Sequence, residues 1–288
     1  MRDVEIITTK SQYKAGDTVE GYVIVKCDDD FKHNGIRMTF KGREHTRIVV
    51  SHGKTSSVHT DEYVYFDETV YLEEAGIMHV GEKRLPFLFS FPDDPEGPLT
   101  SYSGRNGWIE YTLEAVVEIT RARDPKEKLI LDFRQTFDKP TPQTKRGYAK
   151  DDGYPVLDVE LSEDVFCLGD VIPVRFRVAN DVKIREVRVE LNSNETVHAG
   201  RYKRNSRKKL AKQSLDDDYI QRDLWMEAQI QTDESMQTTF NKDIIRNEVR
   251  VKVTLNIPWG RDKSVTIPIS FGFCSDELER ETPDIFDF

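Results

Sequence analysis

Between positions 201 and 212 the chain sets Arg201, Lys203, Arg204, Arg207, Lys208, Lys209 and Lys212 around Tyr202, and Asp216, Asp217 and Asp218 follow. In a chain of formal net charge −10, cations this concentrated suit charge-assisted contacts to an anionic ligand. A phosphoinositide head group, an anionic lipid surface or a phosphorylated protein segment fits that chemistry. The same run also reads as a solvated loop in a hairpin region, neutralised by its own aspartates. A second candidate is the segment 281–288, where acids alternate with Ile285, Phe286 and Phe288. Apolar anchors among acids allow such a segment to add as a strand to a sheet edge, its own or a partner's. His45, His52 and His59 are spaced by seven, but strand spacing does not converge three side chains on one ion, so no metal site is expected. There is no GxSxG, HExxH, P-loop or GxGxxG in its required context, and the carboxylates are scattered. Neither catalysis nor a cofactor is expected.

The elements that must position these residues are announced by a repeat. Tyr13-Lys14-Ala15-Gly16-Asp17 leads into a strand pattern at 18–27, and Phe166-Cys167-Leu168-Gly169-Asp170 leads into another at 171–179. Gly16 and Gly169 permit positive φ in a tight turn, and Asp17 and Asp170 can hydrogen-bond the turn backbone. So wide a spacing means two copies of one domain, and 288 residues suffice for two cores. Short alternating runs fill both copies. They fall at 4–9, 35–42, 45–51, 63–66, 69–72, 81–91, 108–120 and 129–137, then at 158–161, 182–192, 224–232, 247–257 and 264–273. Phe87, Phe89 and Phe91 share one face. Window 206–215 reads as a loop. Regular short strands without an amphipathic helix predict an all-β chain of two tandem antiparallel, immunoglobulin-like sandwiches. The expected bounds are 1–138 for the first, 139–155 for a linker around Pro140 and Pro142, 156–275 for the second and 276–288 for an acidic tail.

Bulk properties set further limits. Hydrophobic residues make up 37% and charged residues 33%, a balance suited to strands with one wet face. The negative charge disfavours nucleic acid as a general partner. Cys27, Cys167 and Cys274 are odd in number and lack a CxxC spacing, which signals neither a disulfide framework nor a zinc site and fits a reducing compartment. The start is strand-like rather than a leader, and the sequon Asn194-Glu195-Thr196 reads as chance. A cytoplasmic location is expected, with peripheral contact to membranes as an option.

The first copy resembles the N-terminal half of the arrestin clan. That clan holds visual and β-arrestins, arrestin-domain-containing trafficking adaptors, the arrestin-fold retromer subunit and microbial sporulation-control proteins. The resemblance rests on residues 13–23, on Gly35-Ile36-Arg37-Met38-Thr39-Phe40-Lys41-Gly42, on Leu85-Pro86-Phe87-Leu88-Phe89-Ser90-Phe91-Pro92, and on Leu99-Thr100-Ser101-Tyr102 through Tyr111-Thr112-Leu113-Glu114-Ala115. The second copy matches more faintly. The resemblance implies two arrestin-type sandwiches and a non-catalytic adaptor or scaffold that binds cytoplasmic tails or sorting and signalling partners. It also implies two alternatives, a retromer-like structural subunit of a sorting complex and a sporulation or stress-control regulator. Glu20, before Gly21, stands where arrestins place one acid of an inter-domain charge cluster. Counterparts of the phosphate-sensing arginine and the acidic gate loop are not found, so the resemblance implies no activation switch. A docked tail would make Phe286 and Phe288 autoinhibitory. With no Pro-Pro-x-Tyr motif in the chain, ubiquitin-ligase recruitment is not implied.

Overall fold

The computed structural model describes residues 2–93, 99–136 and 140–274. They form two compact units, one running to Gln135 and including Ala199–Tyr202, the other covering Thr136–His198 and the chain from Lys203 onward.

The first unit is a sandwich of a three-stranded and a six-stranded sheet. Strands β1 (Arg2–Thr8), β3 (Thr18–Cys27) and β6 (Gly81–Ser90) form the small sheet in the order β1-β3-β6. The large sheet runs β2-β9-β8-β4-β5, with β7 paired to β8. Its members are β2 (Gln12–Tyr13), β4 (Phe31–His52), β5 (Thr55–Met78), β7 (Tyr102–Ser103), β8 (Gly107–Glu118) and β9 (Lys126–Phe133). β4 and β5 are continuous hairpin arms of 22 and 24 residues, not the four short strands that the sequence pattern suggests. Register shifts between Ile36 and Arg37 and between Gly42 and Arg43 absorb the breaks in alternation. Inward-facing Phe40, Phe89, Phe91, Tyr111 and Phe133 are all buried and meet at ring-centroid distances of 4.6 to 5.4 Å. Burial pushes the Tyr111 hydroxyl well above its ordinary pKa, and Tyr65 adds to the shift; the hydroxyl donates to the Leu99 carbonyl at 2.5 Å.

The second unit repeats this topology. A four-stranded sheet, β10-β11-β13-β16, consists of Lys145–Asp151, Tyr154–Leu161, Val171–Val178 and Met226–Gln231. The large sheet, β12-β19-β18-β14-β15, has β17 paired to β18. Its strands are β12 (Val165–Cys167), β14 (Glu186–Ala199), β15 (Tyr202–Asp216), β17 (Phe240–Asn241), β18 (Ile245–Asn256) and β19 (Lys263–Gly272). Strand for strand, β11-β13-β16 corresponds to β1-β3-β6, and β12-β19-β18-β14-β15 to β2-β9-β8-β4-β5. β10 is the addition, and it lies inside the stretch expected as a linker. The fully buried core is aliphatic around Phe166, Phe176 and Phe271.

The twin turns are the crossovers between sheets. β2 pairs in parallel with β9 in the large sheet, and after Gly16 the chain enters β3 of the small one. β12 pairs in parallel with β19, and after Gly169 the chain enters β13. Gly16 has φ +76° and Gly169 φ +89°, values that a type II turn demands at its third residue. Asp17 Oδ2 accepts the Lys14 amide at 3.1 Å and Asp170 Oδ2 accepts the Cys167 amide at 2.8 Å. In return the Asp17 amide donates to the Lys14 carbonyl, and the Asp170 amide to that of Cys167.

Two expectations are corrected here. Window 206–215 is not a loop but most of β15, because its apolar members Leu210, Ala211 and Leu215 pack on the second core and the strand ladder continues from β14. The cysteines do form a bridge. Cys167 and Cys274 are disulfide-bonded, with Cα atoms 5.6 Å apart across 107 residues of sequence, while Cys27 is free and buried. Spacing in sequence gave no sign of the pairing, because it depends on β12 lying beside β19.

Candidate functional site

Both large sheets end on a long hairpin arm, β5 in the first unit and β15 in the second, each paired on one side only among the described residues. These arms carry different side chains. On β5 the solvent meets Tyr63, Val64, Val70 and Tyr71 between acids such as Glu62 and Asp67. On β15 it meets Lys203, Arg204, Arg207, Lys208, Lys209 and Lys212. The basic run read as a loop in the sequence is a strand, with Arg201 in the turn before it.

A strand splits its side chains between two faces. Arg207 Nε donates to Asn194 Oδ1 at 3.0 Å and Lys209 Nζ meets Glu190 Oε1 at 2.8 Å, so these two residues of β15 share the outer face of β14. Ser206 Oγ donates to the buried Glu195 Oε1 at 2.8 Å, which places Ser206, with Arg204 and Lys208 in step with it, on the opposite face. The outer face continues onto β18. There Arg250 stands opposite Asn192, and Lys252 opposite Glu190. A groove of about 260 Å³ opens between them, lined by Arg207, Arg250, Lys252, Asn192, Ser264 and Thr266 among others, with no carboxylate in its lining. The Nε of Arg250 is buried without a hydrogen-bond partner, while its Nη2 pairs with Glu248. Three cations with hydroxyl and amide groups form a surface suited to oxyanions. Arg250 and Lys252 escaped the sequence reading as site residues. The signal available was their basic alternation along β18, which reads equally well as an ordinary wet face.

The corresponding face of the first unit is balanced. Arg37 pairs with Glu118 at 2.9 Å, Lys41 with Glu62 at 3.1 Å, Arg43 with Glu62 and Glu110 at 3.3 and 3.5 Å, and His45 with Glu110 at 3.2 Å. Burial pushes the Glu62 carboxyl up, but hydrogen bonds from Lys41 and Arg43 outweigh it and hold the pKa below the usual range. Two of the three spaced histidines have local partners. His45 stacks on Trp108 at 5.1 Å, and the His59 Nε2 meets Ser57 Oγ at 2.9 Å. In the second unit, Glu186 has its pKa lowered to about 2. The Arg188 hydrogen bond dominates over burial, with Ser214 and Asn256 assisting.

Glu20 lies on the exposed face of β3, opposite Leu88. Ile285, Phe286 and Phe288, the candidate docking residues of the tail, lie outside the described residues. Among the described residues no helix is long and apolar enough to cross a membrane.

Two sandwiches of one topology, joined in tandem and each turned by a Gly-Asp crossover, define a protein of arrestin architecture. The family comparisons agree: the model for arrestin (or S-antigen), N-terminal domain, matches residues 3–137, and that for arrestin (or S-antigen), C-terminal domain, matches residues 152–274. The chain belongs to the arrestin family. It is 24% identical over 195 residues to arrestin domain-containing protein 4 of Mus musculus, an alignment covering 60% of this chain and 46% of that protein. To arrestin domain-containing protein 4 of Homo sapiens it is 25% identical over 194 residues, covering 59% and 46%. The chain spans about half the length of the curated relatives it matches.

Proposed function

We propose that this chain is a non-catalytic adaptor of protein trafficking. It holds extended segments of partner proteins, such as cytoplasmic tails, by adding them as strands to its sheet edges. Membership of a family of generally non-catalytic adaptors supports this reading. The observation that carries it is β5. This edge strand of 24 residues leaves Tyr63 and Tyr71 about half exposed, at 50% and 54%. Edge strands of monomeric proteins are ordinarily short, twisted away or guarded by charge, and a long edge with exposed aromatics is a template for a partner strand. The test is affinity capture from cells expressing the full chain or its Tyr63→Lys/Tyr71→Lys variant, with identification of bound proteins. The expected result is a set of trafficking partners captured by the parent and lost from a variant of unchanged melting temperature. An identical set for both proteins removes β5 as the binding edge.

A further inference from the structure

We infer that β15 of the second unit is a strand-pairing edge selective for acidic, extended protein segments. The inference rests on the adaptor reading above and names a second site with a partner chemistry of its own. β15 closes the order β12-β19-β18-β14-β15, so between 203 and 212 one row of its backbone amides and carbonyls has no partner strand among the described residues. Six cations fall on those ten residues, with no acid between 202 and 215. Lys209 already meets Glu190 of β14, but the aspartates that follow do not neutralise the run. A strand advances roughly 3.4 Å per residue, so Asp216 stands roughly 27 Å from Lys208 and roughly 14 Å from Lys212, beyond a Debye length of about 8 Å at physiological salt. Asp217 is moreover paired with Arg222.

The distribution of the cations distinguishes a strand from a surface as the ligand. Lys203, Arg207 and Lys209 project to one face of the sheet, and Arg204 and Lys208 to the other. From Ala211 on the alternation shifts, with Ala211 and Leu215 on the core and Ser214 bonded to Glu186, so Lys212 rejoins the first face. A flat anionic surface reaches one face at a time. A strand added along the edge places its own alternating side chains beside both sets at once, at cross-strand distances of about 5 Å. The cations therefore repel basic strands, leave neutral ones unrewarded and favour acidic ones, and the open backbone ladder supplies the affinity that charge does not.

The test uses the full chain with a labelled ten-residue peptide alternating Glu and Val, and a control of equal charge with two central residues replaced by proline. Inositol hexaphosphate and vesicles of phosphatidylserine with phosphatidylcholine are the non-strand anions. Binding is followed by fluorescence anisotropy, and amide hydrogen exchange locates it. The Glu-Val peptide is expected to bind and to slow exchange within 203–212. Proline is expected to weaken it roughly tenfold or more, and Lys208→Glu/Lys209→Glu, one reversal on each face, to weaken it by a similar factor. Equal affinity for the proline peptide overturns the inference in favour of simple polyanion attraction. So does protection of 203–212 by inositol hexaphosphate or by the vesicles that equals the protection given by the Glu-Val peptide. If a neutral Thr-Val peptide protects β5 while no peptide protects β15, the adaptor reading stands and this inference falls. If neither edge is protected, both fall.

Discussion

Replacing Cys167 and Cys274 by serine removes a bridge that closes 107 residues of chain, nearly the whole second sandwich. Closing a loop of that length restricts the unfolded chain by about 4.8 kcal/mol at 25 °C on the chain-entropy relation, and measured disulfides typically deliver roughly 2–4 kcal/mol. The native state loses little else. Cys167 donates its backbone amide, not its side chain, to Asp170, so the turn survives the substitution. For a unit of this size, roughly 2–4 kcal/mol lowers the melting temperature by roughly 6–16 °C. Scanning calorimetry of the parent, of the parent with reductant and of Cys167→Ser/Cys274→Ser separates the transitions of the two units. The expected outcome is a lower second-unit transition in both the reduced parent and the variant, and an unchanged first-unit transition. Cys27 is the internal control, since its thiol donates to the His79 carbonyl and bridges nothing. If native, non-reduced protein alkylates at Cys167 and Cys274, and reductant leaves both transitions in place, the reasoning is refuted.

Three further outcomes are expected. Gly169→Ala puts a side chain at φ +89° with no atom within 4 Å of the new Cβ, so the cost is backbone strain alone, about 1 kcal/mol, measurable by urea unfolding. Phe91→Ala removes the ring that Tyr13, Phe40, Phe66, Tyr111 and Phe133 all touch; a loss of roughly 3–5 kcal/mol is expected in the first unit, and a loss below 1 kcal/mol contradicts that packing. The Glu186 carboxyl titrates near 2 in the folded unit against 4.5 unfolded. Its stabilisation is complete above about pH 4.5 and is lost as pH falls towards 2, so Glu186→Gln flattens the acid limb of the urea-midpoint curve between those values.

The sequence carried the fold because alternation and turn chemistry are local. Val19, Val23 and Val25 are buried where period two places them, and Gly16 and Gly169 hold the positive φ that their turns require. Element lengths were not local. Gly42 interrupts the alternation of β4, yet the strand continues through it, since a Cβ there would collide with the Phe66 and Tyr111 rings. Gly21 is glycine for a reason no neighbour in sequence reveals: a Cβ would run into the Ile7 carbonyl of β1. Of the candidate sites, the basic run was legible as composition, while its character as an edge strand was not.

By itself the sequence determined two tandem sandwiches, a Gly-Asp turn in each and a concentration of cations at 201–212. All of these follow from residues within a few positions of one another. Only the tertiary structure decided that those cations divide between the two faces of a sheet edge, that Arg250 and Lys252 join Arg207 around one groove, and that Cys167 meets Cys274. Each of these depends on which strands become neighbours, and strand order is set by packing of the whole core rather than by any local run of residues.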